Sequence, residues 1–126
     1  MSAKGRTGVV RPGMAVLASL LVGLAGTPAA ADFAAAVEAY DQGDYATTFT
    51  ESKPLAKAGD AEAQYMLGYL YARGEGVGRN RVRAYVWFAR AAAQGDAIAA
   101  DAAATLARRL APADLATARR LLAGSE

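Results

Sequence analysis

The stretch Gly59-Asp60-Ala61-Glu62-Ala63 returns as Gly95-Asp96-Ala97-Ile98-Ala99, 36 residues further on. Self-similarity at a period of roughly 20–50 residues marks an array in which each unit is one supersecondary element that buries its apolar face only against its neighbours. The phrase itself is helix punctuation. A glycine closes one helix in the left-handed conformation, and the aspartate after it accepts hydrogen bonds from the first free N–H groups of the next.

Working outward from the phrase, the 3–4 spacing of apolar residues predicts six helices in three pairs. The first runs from Phe33 to Gln42, with Phe33, Ala36, Val37 and Tyr40 on one stripe, and ends at Gly43. Asp44 caps a second from Tyr45 to about Ala58, whose Thr47-Thr48-Phe49-Thr50 run is a weak helix former and whose last turn holds Pro54. The third, Ala61 to Arg73, directs Ala63, Met66, Leu67, Leu70 and Tyr71 inward. Gly68 costs this helix stability unless a partner helix packs on its bare backbone. After the loop Gly74-Glu75-Gly76-Val77-Gly78, the fourth helix (about Arg81 to Gln94) carries Ala84, Trp87, Phe88, Ala91 and Ala92 as its core stripe. The fifth, Ala97 to about Leu110, buries Ala99, Ala103, Leu106 and Leu110. Pro112 suits the first turn of a sixth, which runs to about Ala123 with Leu115, Ala118 and Leu122 inward.

The segment from Gln64-Tyr65-Met66-Leu67-Gly68 through Gly74-Glu75-Gly76-Val77 to Ala84-Tyr85-Val86-Trp87 and Ala91-Ala92 resembles the Sel-1-like repeat, a helical-hairpin relative of the tetratricopeptide repeat. The structural positions carrying the resemblance are Leu67, Gly68, Tyr71, Gly74, Gly76, Ala84, Trp87, Ala91 and Ala92. The resemblance implies an all-α fold, a short α-solenoid of about three antiparallel hairpins. Residues 60–95 would be a full repeat, 32–59 an opening half-repeat and 96–126 a closing hairpin. Ser52 stands where such openings often carry a bulky aromatic, which predicts a loosely packed first pair. Ala111 replaces the usual Thr or Ser cap before the proline. In helical-hairpin arrays the first helix of each pair lines the concave side, so the resemblance also implies a binding groove there.

Tyr65, Tyr69 and Arg73 stand one turn apart on the third helix, off the Leu67–Tyr71 stripe. A shift of 36 residues lands on Asp101, Thr105 and Arg109, and the matching face of the first helix holds Glu38 and Gln42. These eight residues are the candidate partner-binding positions, since Tyr and Arg are enriched at interface hot spots. The competing reading of the same face is a solvated surface with its aromatics half packed on a neighbour.

Residues 1–31 read as a secretory signal peptide: a basic start (Lys4, Arg6, Arg11), an apolar run from Met14 to Gly26, and the small residues Ala29 and Ala31 before Asp32. Cleavage after Ala31 is expected, giving an exported, periplasmic or secreted protein. An uncleaved membrane anchor is the alternative. Of fourteen basic residues eleven remain beyond residue 31, against twelve acids, a net charge near −1. No basic surplus for nucleic acid is left, and no membrane association is expected after cleavage.

The chain has no histidine and no cysteine. That excludes a Ser-His-acid or Cys-His nucleophile and any zinc site built on those ligands. Gly74-x-Gly76-x-Gly78 follows a helix where a dinucleotide loop needs a strand. Asp44, Asp60 and Asp96 each follow a glycine and read as caps. The expectation is therefore a monomeric, non-catalytic protein without cofactor or metal, binding a protein or peptide as adaptor or scaffold. The alternatives are a structural envelope component that uses its ends and, behind it, a cell-wall hydrolase working through two carboxylates.

Overall fold

The structure, a computed structural model, describes residues 28–124. The signal segment therefore lies outside the described residues, except for Pro28 to Ala31. From Asp32 onward the chain forms one compact unit. Six helices follow one another among the described residues: α1 (Pro28–Asp41), α2 (Tyr45–Lys57), α3 (Ala61–Arg73), α4 (Arg81–Ala93), α5 (Ala97–Arg109) and α6 (Pro112–Ala123). All six expected helices are present. The first begins five residues earlier than the Phe33 start read from the apolar stripe, because the run Pro28 to Asp32 continues helical.

The repeated Gly-Asp phrase works as its chemistry requires. Asp60 Oδ1 accepts from the N–H groups of Glu62 at 2.9 Å and Ala63 at 3.1 Å, and Asp96 Oδ1 accepts from Ala99 N–H at 3.0 Å. Asp44 caps α2 through Thr47 N–H at 3.2 Å. Asn80 serves α4 in the same way, through Arg83 N–H at 3.0 Å. Ala111 makes no side-chain cap, leaving Pro112 to open α6 by its fixed φ.

Packing is sequential. Helix α3 packs on α2 and α4, and α4 packs on α3, α5 and α6. The core runs through four of them: Leu55 and Ala56 of α2; Ala63, Leu67, Leu70 and Tyr71 of α3; Ala84, Trp87, Phe88 and Ala91 of α4; Ala99, Ala103 and Leu106 of α5. Gly68 is where α3 and α4 come closest. A Cβ there would lie 2.6 Å from Phe88 Cδ1 and 2.9 Å from Cγ, so only glycine admits the Phe88 ring. The loop 74–80 folds back on the preceding pair. Gly76, at φ +73°, lies against the Tyr45 carbonyl, and a Cβ on it would sit 2.6 Å from the Tyr45 carbonyl carbon.

Two expectations about the interior need correction. Val37, placed on the inward stripe of α1, is exposed. Ala92, Leu110, Leu115 and Leu122 are half-buried rather than fully covered, as suits the outer helices of a short array. Ser52, the small residue expected to loosen the first pair, is wholly buried, as is Thr48. The Ser52 hydroxyl has no hydrogen-bond partner. Thr48 satisfies its own by donating to the Asp44 carbonyl at 3.0 Å.

A polar contact inside the array ties three helix ends together. Gln64, 6 % exposed, donates from Nε2 to the Ala56 carbonyl at 3.1 Å. Gln94 Nε2 donates to Gln64 Oε1 at 2.9 Å and to the Gly59 carbonyl at 2.8 Å. The end of α2, the start of α3 and the end of α4 are thereby joined, the Ala56 carbonyl taking Gln64 as a donor beside the Gly59 N–H at 3.0 Å.

Candidate functional site

The 3.6-residue turn places Tyr65 and Tyr69 one above the other on α3, and Tyr40 of α1 reaches the same strip. Ring centroids are 6.3 Å apart for Tyr65–Tyr69, 6.0 Å for Tyr69–Tyr40 and 5.0 Å for Tyr40–Tyr45, with Phe88 continuing the row 5.4 Å beyond Tyr65. Such tilted and edge-on contacts are the geometries aromatic quadrupoles favour. The two α3 tyrosines, off the Leu67–Tyr71 stripe, are half-buried and pack against the core, as the competing reading of this face has its aromatics.

Polar groups close one end of the row. The Arg73 guanidinium lies 5.2 Å from the Tyr69 ring centre, and its Nε meets Glu75 Oε2 at 3.2 Å. The Tyr40 hydroxyl donates to Glu75 Oε1 at 3.3 Å. Burial first, then the neighbouring Tyr69 and Glu75, pushes the Tyr40 phenol well above its ordinary value. Burial, followed by the charges of Tyr69 and Asp96, raises Tyr65 as well. The Glu75 hydrogen bond leads in raising Arg73. At neutral pH the row therefore offers neutral phenols and one paired guanidinium.

Beside the row the surface is hollowed. A depression of about 240 Å³ is lined by Tyr40, Tyr65, Met66 and Tyr69. A second of about 320 Å³ shares Tyr65 and Met66 with it and adds Phe33, Val37 and Ile98, with Glu62 and Asp96 at its edge. Val37, 37 % exposed, and Ile98, 67 % exposed, are the large hydrophobic side chains left in water among the described residues, and both line this groove. The groove is made by the first helices of the three pairs.

Of the eight candidate residues, the structure brings together Tyr65, Tyr69 and Arg73. Glu38 and Gln42 are exposed on α1 and hydrogen-bond to each other at 3.5 Å, without lining the groove. Asp101, Thr105 and Arg109 do not reach it either. Thr105 accepts from Arg108 at 3.5 Å, and Arg109 lies in a separate depression with Arg79 and Asp114. The repeat period placed them on the α5 helix, but the residue of α5 that lines the groove with Tyr65 is Ile98, in the first turn. Tyr40, Met66, Glu75, Val37 and Ile98 were missed as site residues. The signal for Tyr40 was its place in the same aromatic set.

Among the described residues no group of three or more acidic side chains could hold a metal ion, and no helix is long and apolar enough to cross a membrane. Asp44, Asp60 and Asp96 are occupied as helix caps.

Stacked antiparallel hairpins with a groove along their first helices define a helical-repeat protein of the α-solenoid class. Residues 61–96 match the family model for the Sel1 repeat, so this stretch is one Sel1-like repeat within the array. Repeats of this kind generally mediate protein–protein interaction and are typically non-catalytic. No curated protein matches the chain.

Proposed function

We propose that this protein is an exported adaptor or scaffold that holds a protein or peptide against the face made by its first helices, without catalysis or cofactor. The supporting observation is the coincidence of the half-exposed tyrosine row with the two exposed aliphatic side chains, Val37 and Ile98, around one groove. Aromatic and aliphatic anchors at the centre of a surface, ringed by polar groups, are where binding energy concentrates. The pairs flanking residues 61–96 act as partial repeats that close the array at both ends. Ile98 tests the reading, because its exposure separates binding from folding. Ile98→Arg should leave the melting temperature within about 4 °C of wild type, since exposed substitutions usually change stability by less than about 0.5 kcal/mol. Recovery of the partner from the envelope fraction by the purified variant should fall sharply. Undiminished recovery would move the interface off this groove.

A further inference from the structure

The second helices of the pairs carry a different surface. Two adjoining clefts, of about 460 and 240 Å³, share Lys57, Trp87 and Arg90; Lys53 and Arg83 line the smaller one. No carboxylate lines either cleft, and the one ion pair among the described residues is Arg73–Glu75, on the other face. Rings rather than acids steady two of the four cations. Arg90 lies 4.8 Å from the Trp87 ring centre and Lys53 lies 5.5 Å from that of Phe49, which leaves their N–H donors directed at solvent or a ligand. Arg83 stands in the first turn of α4, which holds no acid, the end of a helix where the dipole disfavours a cation. Local helix energetics therefore do not account for it.

We infer that the cleft between α2, α4 and α6 is a binding site for an acidic, carboxylate-rich polypeptide segment, independent of the first-helix groove. The spacing of the cations favours dispersed carboxylates over one compact anion. Lys53 and Lys57 are one turn apart on one wall, and Arg83 and Arg90 lie two turns apart on the other, about 6 and 10 Å along the helix axes. An extended chain presents every second side chain to one side at about 7 Å, so alternating glutamates match that spacing. Of the helix ends at the cleft, the turns holding Lys57, Ala93 and Leu122 are C-terminal and present carbonyls, and the one N-terminal turn that brings a cation, that of Arg83, has the Arg83 N–H already held by the Asn80 side chain, which weakens it as a cradle for phosphate. Trp87 and Tyr71 are only 7 % and 8 % exposed, and Arg90 lies over the indole, so no ring is free to stack on a nucleobase as single-stranded nucleic acid requires.

The test uses the full chain and a fluorescein-labelled peptide of alternating glutamate and glycine, read by anisotropy at low and moderate salt. A second readout is the emission of Trp87, the one tryptophan of the chain. The inference expects saturable binding that weakens with salt, an emission change on saturation, and no binding of the glutamine counterpart. Lys53→Glu/Arg83→Glu, folded by circular dichroism, should bind at least about tenfold more weakly, because two attractive charges become repulsive. The milder Lys53→Gln/Arg83→Gln covers the case in which the reversal does not fold. Ile98→Arg should bind the peptide like wild type, so failure of the adaptor reading and failure of this one are distinguishable. Equal binding by wild type and both charge variants would overturn the inference. So would an oligonucleotide or polyphosphate that displaces the glutamate peptide at lower concentration than unlabelled peptide does.

Discussion

Replacing Gly68 with alanine sets two effects of known size against each other. In an isolated helix the change stabilises by about 0.8–1 kcal/mol, since alanine is the better helix former. Here the new Cβ would meet Phe88 Cδ1, Cε1 and Cγ at 2.6, 2.7 and 2.9 Å. An ordinary carbon–carbon contact is about 3.5–4.0 Å, so the ring must retreat by roughly 1 Å. Phe88 is 3 % exposed and also packs against Tyr65 at 5.4 Å between centroids, so the ring sits enclosed in the core. Overpacking of this kind costs about 1–3 kcal/mol and outweighs the helix gain. Gly68→Ala should therefore destabilise by up to about 2 kcal/mol, lowering the melting temperature by up to about 8–16 °C for a domain of this size, and Gly68→Leu should do more damage. The cycle with Phe88→Leu isolates the cause. With the ring gone, Gly68→Ala should regain part of the helix-forming advantage, leaving a coupling of about 1–2 kcal/mol in thermal or urea unfolding. A higher melting temperature for Gly68→Ala in the wild-type background, or zero coupling to Phe88, would refute the packing argument.

Removing the unpartnered hydroxyl of Ser52 should stabilise. A buried donor without a partner costs about 1–3 kcal/mol, so Ser52→Ala should raise the urea midpoint, and a fall would show that the hydroxyl is engaged. The raised phenol of Tyr40 gives a pH dependence of defined sign. The folded state holds this proton more tightly than the unfolded chain, whose tyrosines titrate near pH 10. The stabilisation is thus complete below about pH 10 and is lost as pH rises above it. Tyr40→Phe should flatten that alkaline loss, and ultraviolet titration of the wild type should carry a late phenol ionisation that the variant lacks; an unchanged alkaline limb in the variant would place the effect elsewhere.

The helices, their caps and the close approach at Gly68 were legible because each rests on local chemistry. A glycine in mid-helix is a cost that asks for a reason, and Phe88 is that reason. Gln64 was legible too, being a polar residue on the Ala63–Leu67–Tyr71 stripe, but its partner Gln94 could not be read from spacing alone. The groove was read only in part. Tyr65, Tyr69 and Arg73 follow from helical periodicity, whereas Asp101, Thr105 and Arg109 came from extending the period to a helix whose approach to α3 the period does not fix. Val37 shows the same limit from the other side: a place on an apolar stripe does not by itself bury a side chain.

The loop that reaches back from the central hairpin has a thermodynamic consequence. In a linear array each unit's order depends on its own stability and on its junction with the next. Here the junction includes Gly76 seated on the Tyr45 carbonyl and the Glu75 carboxylate shared by Tyr40 and Arg73. Local opening of the first hairpin must therefore break contacts whose other half belongs to its neighbour, so amide exchange in α2 should report on the loop as much as on α2 itself. A partner seated on the tyrosine row touches both sides of that junction at once. Its binding would raise the cooperativity between the two hairpins, and a part of its affinity would come from stiffness it imposes rather than from contacts it makes.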